Sequence, residues 1–187
     1  MPEMTAPPHL RRRRLAGFTL IELAIVLVIA ALLVRVATPG MSRPVAARAL
    51  AAQASEFMAA LRFARSEAMK RGTPVTLCAA VPAQPPQACQ SGRGVDWRAG
   101  WIIFVDGGRR AVLEQGDQVL RLQQPLRLTG GVAGTRAAIS FTAAGYSTDA
   151  SAHFLFSPPA DADPPPALLV CVSKQGRPRL AATGARD

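Results

Sequence analysis

The residues with the clearest capacity for chemistry form a short basic run near the C-terminus. Lys174, Gly176, Arg177 and Arg179 follow one another closely. A turn at Gly176 would place Arg177 and Arg179 on the same side of an extended segment, because side chains two residues apart in a strand share a face. Two guanidinium groups at that spacing can contact successive phosphates, and Lys174 adds a third positive charge. An ordinary basic turn with no ligand stays the alternative.

Three cysteines offer thiol chemistry, and they are Cys78, Cys89 and Cys171. A bridge between Cys78 and Cys89 would close a short proline-rich loop and contribute about 2 to 3 kcal/mol. Cys171 lies in an apolar, strand-like run, so we predict a Cys78–Cys89 disulfide and leave a pairing of Cys171 open. The spacing does not suit zinc, and His153 is the only histidine after residue 17. We therefore predict no metal and no other cofactor.

The sequence gives little support for an enzyme. It contains no Ser/His/Asp ordering and no glycine-rich loop that would cradle a phosphate, and acids such as Asp161 and Asp163 are scattered in a proline-rich loop. The net charge of +10 favours anionic partners such as nucleic acid or lipid headgroups. Arginine greatly outnumbers lysine, which high-GC genomes also produce, so charge alone is weak support. We predict a protein without catalytic activity.

An apolar run near the N-terminus predicts a membrane-spanning helix. Residues 18–34 carry only one charge, Glu22, and follow four arginines at residues 11–14. At about 1.5 Å per residue this run spans roughly 26 Å, and continuation to residue 37 would complete a bilayer span. The arginines predict a cytoplasmic N-terminus and place the rest of the chain on the far side of the membrane, where an oxidising compartment would let disulfides form. Glu22 needs a cationic partner there, unless it lies near the headgroups and is solvated.

The junction between the arginines and the apolar run reads GFTLIE, from Gly17 to Glu22. A secretory signal has its small-residue cleavage site after the apolar region, whereas this junction precedes it. The segment resembles the class III signal of type IV pilins and type II secretion pseudopilins. The resemblance implies that prepilin peptidase cuts after Gly17 and methylates Phe18, so that residues 1–17 are a leader. It also implies that Glu22 pairs with the Phe18 amine of a neighbouring pilin or pseudopilin subunit.

The rest of the sequence predicts an α+β fold. A membrane-spanning and assembly helix covers residues 18–38, and an amphipathic helix covers residues 45–72, with Gly72 as its C-cap. Residues 73–187 form one antiparallel β domain that ends in the basic C-terminal segment. The candidate strands cover residues 75–80, 100–105, 111–114, 119–122, 137–142, 153–156 and 168–173.

Two longer segments narrow the resemblance. They read RSEAMKRGTPVTLC, from Arg65 to Cys78, and WRAGWIIFVD, from Trp97 to Asp106. Both resemble the FimT/GspH family of minor type IV pilins and type II secretion pseudopilins. The family implies a pilin-like fold, in which a long N-terminal helix packs on an antiparallel sheet. It also implies a single-pass protein in the lipid of the bacterial inner membrane, with its C-terminal domain in the periplasm, that later enters a pilus or pseudopilus.

The segment GRPR, from Gly176 to Arg179, resembles the glycine-arginine-any-arginine motif with which FimT-type pilins bind DNA in natural transformation. The resemblance implies a FimT-like minor pilin that binds duplex DNA non-specifically through this segment and Lys174. The alternatives are a GspH-like pseudopilin, as a structural subunit of the type II secretion pseudopilus, and a minor pilin needed only to prime pilus assembly. The sequence leaves open whether four loop arginines extend the patch, namely Arg93, Arg98, Arg109 and Arg110.

Overall fold

The computed structural model describes residues 19–37, 42–82, 88–126, 130–148, 151–160 and 164–182. The chain divides into two compact units, the first ending at Met41 and the second beginning at Ser42. Gly17, Phe18 and the predicted leader over residues 1–17 lie outside the described residues. Cleavage after Gly17 therefore stays a prediction.

The first unit contains helix α1, Leu20–Ala37. The hydroxyl of Thr19 accepts a hydrogen bond of 3.3 Å from the backbone N–H of Glu22, so Thr19 is the N-cap of α1. The Thr-x-x-Glu spacing is that of a capping box, which places the Glu22 carboxylate in the first turn, where the helix dipole favours a negative charge. Residues 20–33 are all exposed and almost entirely apolar.

The membrane-spanning prediction extends beyond what the structure covers. Within the part of the chain that the structure describes, no helix combines the length and the apolarity needed to cross a membrane. The predicted span over residues 18–38 includes residues at both ends that lie outside the described ranges. The span therefore stays a prediction.

The second unit begins with helix α2, Ser42–Arg71. It starts three residues earlier than predicted. The helix can include Pro44 because this residue falls in the first turn, where its missing N–H would have no intrahelical partner. Gly72 ends the helix with a φ of 66°, and its N–H donates to the Ala68 carbonyl at 3.0 Å. The amphipathic character of this helix is confirmed, since an apolar face is buried from Leu50 onward, at Leu50, Ala54, Phe57, Leu61, Ala64 and Ala68.

Glu67 forms two ion pairs in the last turns of α2. Its carboxylate accepts a hydrogen bond of 2.9 Å from Arg71, and Lys70 approaches it at 3.4 Å. The hydrogen bond from Arg71 is the main reason that the pKa of Glu67 is lower than its ordinary value, and the charge of Lys70 adds to this effect. The ion pairs support the end of α2 through side chains that are partly in solvent, so their contribution is small.

Within the described ranges, nine strands follow α2 and form two antiparallel sheets. The strands are β1, Val75–Ala79; β2, Val95–Asp96; β3, Trp101–Val105; β4, Val119–Leu122; β5, Gly131–Gly134; β6, Ala138–Phe141; β7, Ala152–Ser157; β8, Leu168–Val172; and β9, Pro178–Ala182. The first sheet has the order β4-β3-β1-β6, and the second has the order β2-β5-β7-β8-β9. Strand β9 is therefore the last strand of the second sheet.

Helix α2 packs against strands of both sheets, with Phe57 in the centre of the core. The ring of Phe57 lies 5.4 Å from that of Trp97, 5.1 Å from that of Trp101 and 4.7 Å from that of Phe154, measured between centroids. These edge-on and tilted arrangements suit the electrostatics of aromatic rings. One aromatic cluster therefore connects the helix with both sheets.

The first sheet is buried on both faces, as the continuous apolar run of β3 predicts. Trp101 and Ile103 face the main core, whereas Ile102 and Phe104 join a smaller cluster on the opposite face. The predicted disulfide between Cys78 and Cys89 is confirmed, with a Cα–Cα distance of 5.6 Å. Cys78 belongs to that smaller cluster and Cys89 packs against it, so the disulfide helps to cover the outer face of the sheet.

The predicted strand over residues 111–114 is wrong. Ala111 has a φ of 61°, which is outside the β region, and its N–H donates to the Asp106 carboxylate at 2.8 Å. The same carboxylate accepts the Thr76 hydroxyl at 2.6 Å. The buried side chain of Asp106 therefore organises a loop between β3 and β4 in place of a strand.

Candidate nucleic-acid interface

The basic run forms the connection between β8 and β9. Gly176 N–H donates to the Ser173 carbonyl at 2.8 Å, and Ser173 N–H donates to the Arg177 carbonyl at 3.2 Å. Arg177 N–H also donates to the Ser173 hydroxyl at 3.3 Å. The run is therefore a tight hairpin turn, which we call the basic turn and define as residues 173–177.

Strand geometry determines which way the arginines point. Pro178 lies opposite Val172, which is buried in the core, and Arg179 lies opposite Cys171. Because side chains alternate along a strand, Arg177 and Arg179 share the face that points away from the core. Lys174, Arg177 and Arg179 are all exposed. Arg177 and Arg179 therefore lie on the same side of the chain, which is the arrangement that a turn at Gly176 predicts.

Gly176 has a structural role that only glycine can fill. It is buried, with a φ of 72°, and a Cβ atom at this position would collide with the carbonyl oxygen of Gly145. The same Cβ would lie 3.3 Å from Nε of Arg65 and 3.3 Å from the ring of Phe141. Gly176 thus allows the basic turn to pack closely against the body of the protein.

Arg65 on α2 holds the surface against which Gly176 packs. Its Nε donates a hydrogen bond of 2.9 Å to the carbonyl oxygen of Gly145, and its side chain is half-buried. In addition, Ser147 N–H donates to the Lys174 carbonyl at 3.0 Å. The basic turn is therefore fixed to α2 and to the loop that follows β6. In the sequence, Arg65 is recognisable only as a basic residue next to Ala64 on the apolar face of α2. Its hydrogen-bond partner, the Gly145 carbonyl, could not be identified from the sequence.

The loop after β6 brings an aromatic side chain to this surface that the sequence analysis missed. Gly145 N–H donates to the Thr142 carbonyl at 2.8 Å, and Thr142 N–H donates to the Tyr146 carbonyl at 2.9 Å. This closed turn leaves Tyr146 57% exposed. Tyr146 is the only tyrosine in the chain, and an isolated aromatic in a glycine-containing loop gave no sequence signal for a site.

The positive charges of the basic turn and of Arg179 are not neutralised by ion pairs within the described residues. Among the ion pairs of those ranges, Glu67 pairs with Lys70 and Arg71, and Asp96 pairs with Arg98. None of them involves Lys174, Arg177 or Arg179. An open cavity of about 250 Å³ lies beside the turn and is lined by Ser173, Gln175, Arg177 and Arg179. Its cationic lining suits an anionic ligand.

Two of the four loop arginines, Arg98 and Arg110, lie away from the basic turn. Arg98 pairs with Asp96 at 2.7 Å, beside the opposite edge strand of the second sheet. Arg110 lines a cavity with Ala138, at the start of β6, whereas Gly176 is near Phe141 at the end of that strand. Arg93 and Arg109 are exposed in loops.

Comparison with known proteins identifies the class of protein. Two crystal structures of the type IV minor pilin FimU of Pseudomonas aeruginosa share the fold. One is 21% identical with a TM-score of 0.50, and covers 71% of this chain and 92% of the FimU chain. The other is 20% identical with a TM-score of 0.53, and covers 73% and 90%. Residues 12–34 match the prokaryotic N-terminal methylation motif. Fold and motif together define a type IV pilin-like subunit.

A family assignment narrows this class. Residues 53–176 match the family described as type II transport protein GspH. Because the match covers more than half of the sequence, the chain belongs to the GspH family. The comparison with curated proteins gives no significant match. The FimT/GspH resemblance predicted from the sequence is thereby confirmed, as is the predicted α+β fold.

Proposed function

We propose that this protein is a FimT-like minor type IV pilin that enters pili and binds DNA non-specifically for uptake in natural transformation. The observation that carries the proposal is the basic turn with its neighbour Arg179. It presents Lys174, Arg177 and Arg179 to solvent, without ion-pair partners among the described residues. The backbone of the turn is also held by hydrogen bonds, so the backbone itself needs little ordering when the turn binds a ligand.

The N-terminal motif supports the assembly part of the proposal. A methylation motif implies processing by prepilin peptidase and assembly with other pilin subunits through the N-terminal helix. We propose cleavage after Gly17, methylation of Phe18 and a single-pass position in the inner membrane before assembly, with the β domain in the periplasm. In the filament, Glu22 would pair with the Phe18 amine of a neighbouring subunit. Pilin families consist of structural, non-enzymatic subunits, and we propose the same for this chain.

The chemistry of the basic turn predicts contact with phosphates and not with base edges. Arginine side chains suit phosphate oxygens, and no helix of the described second unit projects from the site to enter a groove. Three phosphate contacts predict that the logarithm of the binding constant falls with the logarithm of salt concentration with a slope of about −2.7. We therefore expect each subunit to bind DNA weakly at physiological salt and without preference for a DNA sequence.

A mutational test uses the full chain in neutral detergent micelles. The Arg177→Gln/Arg179→Gln variant should lose most binding to duplex DNA in a mobility-shift titration, and its salt slope should shrink by about 2. The matched control is Arg109→Gln/Arg110→Gln, which removes the same charge from an exposed loop. We expect this control to bind almost as well as the wild type. Equal losses in both variants, or no binding by the wild type, would refute DNA binding by the basic turn.

The GspH-like pseudopilin is the second candidate, because the matched family is described as a type II transport protein. Both candidates share the N-terminal motif and the fold, so only the ligand and the cellular machine separate them. Deletion of the gene in its host should abolish DNA uptake if the protein is a FimT-like pilin. Loss of protein secretion with normal uptake would favour the pseudopilin.

A further inference from the structure

Tyr146 is held in solvent by an ordered turn. Tyr146 is 57% exposed, whereas its chain neighbours Gly145 and Ser147 are buried. The backbone of Tyr146 is fixed at both polar atoms, because its carbonyl accepts Thr142 N–H at 2.9 Å and its N–H donates to the Thr142 hydroxyl at 3.3 Å. The exposure is therefore a property of a closed turn and not of a loose loop.

The same turn contacts the basic turn on both sides of Tyr146. Gly145 packs against Gly176, and Ser147 N–H donates to the Lys174 carbonyl at 3.0 Å. Tyr146 lies between these two contacts in the chain, so its backbone is directly beside the basic turn. Tyr146, Lys174 and Arg177 are all exposed, and the backbone segments that carry them are in direct contact.

An aromatic ring beside phosphate-binding cations is the combination that binds unpaired nucleotides. The cations contact the backbone, and the ring stacks on the face of a base, which is sequence-tolerant because every base has such a face. In a fully paired duplex both faces of each internal base are already stacked within the helix. The ring therefore has a partner only where the DNA is single-stranded.

We infer that this surface prefers DNA with unpaired nucleotides, with Tyr146 stacking on a base while Lys174 and Arg177 contact adjacent phosphates. This inference rests on the proposed function and deepens it, because it names the form of DNA that the subunit binds best. Loss of one stacked base is expected to weaken binding by roughly 5- to 150-fold, which corresponds to ~1 to 3 kcal/mol.

The test compares two circular DNA ligands, because circles have no free ends to which the protein could bind. They are a single-stranded circular DNA and the relaxed, covalently closed duplex made from it, each titrated against the full chain in neutral detergent micelles. The wild type should bind the single-stranded circle more tightly at equal phosphate concentration. Tyr146→Ala should weaken binding to the single-stranded circle by at least about fivefold and leave duplex binding almost unchanged.

Three further variants give the test its controls. Tyr146→Phe keeps the ring and should bind like the wild type, whereas Tyr146→Leu keeps apolar volume without an aromatic face and should behave like Tyr146→Ala. Val119→Ala truncates an exposed apolar side chain on β4, in the other sheet, and should change neither affinity. A thermal melt of each variant confirms that the fold is intact.

The outcomes separate this inference from the proposed function. If Tyr146→Ala weakens neither form of DNA, or both equally, the preference for unpaired nucleotides is wrong. In that case the proposed function still stands as long as Arg177→Gln/Arg179→Gln loses duplex binding. If the wild type binds neither circle, the proposed function itself fails, and the inference fails with it.

Discussion

At the scale of single residues, the basic turn depends on Gly176 as much as on its charges. Arginine side chains can be placed on many exposed turns, but this turn packs against Gly145 at a distance that excludes any Cβ atom. The positive φ of Gly176 adds a second requirement, because L-residues pay for that conformation. The glycine of the GRPR segment therefore sets the position of the arginines that follow it.

Gly176→Ala should destabilise the protein and weaken DNA binding together. The left-handed conformation alone costs about 1 to 2 kcal/mol for alanine, and the collision with Gly145 adds to this cost. In a thermal melt we expect a decrease of the melting temperature of roughly 3 to 8 °C.

Gly107→Ala is the matched control for that substitution. Gly107 is exposed, has no atoms near its Cβ position and does not have a positive φ. Its replacement should leave both the melting temperature and DNA binding unchanged. A Gly176→Ala variant as stable as this control would contradict the role assigned to Gly176.

At the scale of elements, the disulfide fixes the loop that follows β1. Cys78 is buried in the smaller cluster, and the backbone continues the pairing as an isolated bridge between Ala80 and Cys89. The disulfide closes a loop with a sequence separation of 11. A loop of that length predicts a contribution of about 2 to 3 kcal/mol, chiefly through the unfolded chain.

Reduction should therefore lower the melting temperature of the wild type by roughly 5 to 10 °C. The Cys78→Ala/Cys89→Ala variant should melt at the same temperature with and without reductant. Cys171→Ala should keep the reductant-sensitive shift, because Cys171 is not part of this disulfide. A wild-type melt that reductant does not change would show that the disulfide contributes no stability.

Elements with strong local signals could be predicted from the sequence. Helix α2 has a regular apolar face and a glycine C-cap, and β3 is a continuous apolar run. The bounds predicted for both elements therefore agree with the structure to within a few residues. Strand β9 was missed as a strand because it starts at a proline and mixes basic with small residues. It forms because it pairs with β8 along its whole length.

The support of the candidate site could not be predicted at all. Arg65 and Gly145 are separated by 80 positions in the chain, and no local pattern links them. The loop that carries Tyr146 contacts the basic turn only through similar long-range packing, by Gly145 and Ser147. The charged residues of the site could be identified from the motif, whereas the contacts that hold them depend on the tertiary fold.

At the scale of the whole molecule, the hydrophobic core belongs to one unit. Every buried apolar side chain of the described ranges lies between Leu50 and Val172, within the unit that begins at Ser42. The described side chains of α1, residues 20–33, are exposed. The stability of the β domain should therefore not depend on α1.

Residues 42–187 should fold without the first unit. We expect their melting temperature to lie within about 2 °C of that of the full chain in the same detergent, measured by circular dichroism. Phe57→Ala should lower the melting temperature of both forms by the same large amount, because it removes about 3 to 5 kcal/mol of core packing. A truncated chain that melts far below the full chain would show that α1 contributes to the fold.

The attachment of the basic turn has a mechanical consequence. Tension on a bound DNA strand would enter the protein at Arg177, at the end of the basic turn, and at Arg179 in β9, an edge strand of the second sheet in the described ranges. The bond from Ser147 to Lys174, and the contact of Gly176 with Gly145 that Arg65 supports, tie that edge to the β6 loop and to α2. The load is thus divided among several elements, because pulling the basic turn away from the domain would require breaking its attachments to the β6 loop and to the surface that α2 supports.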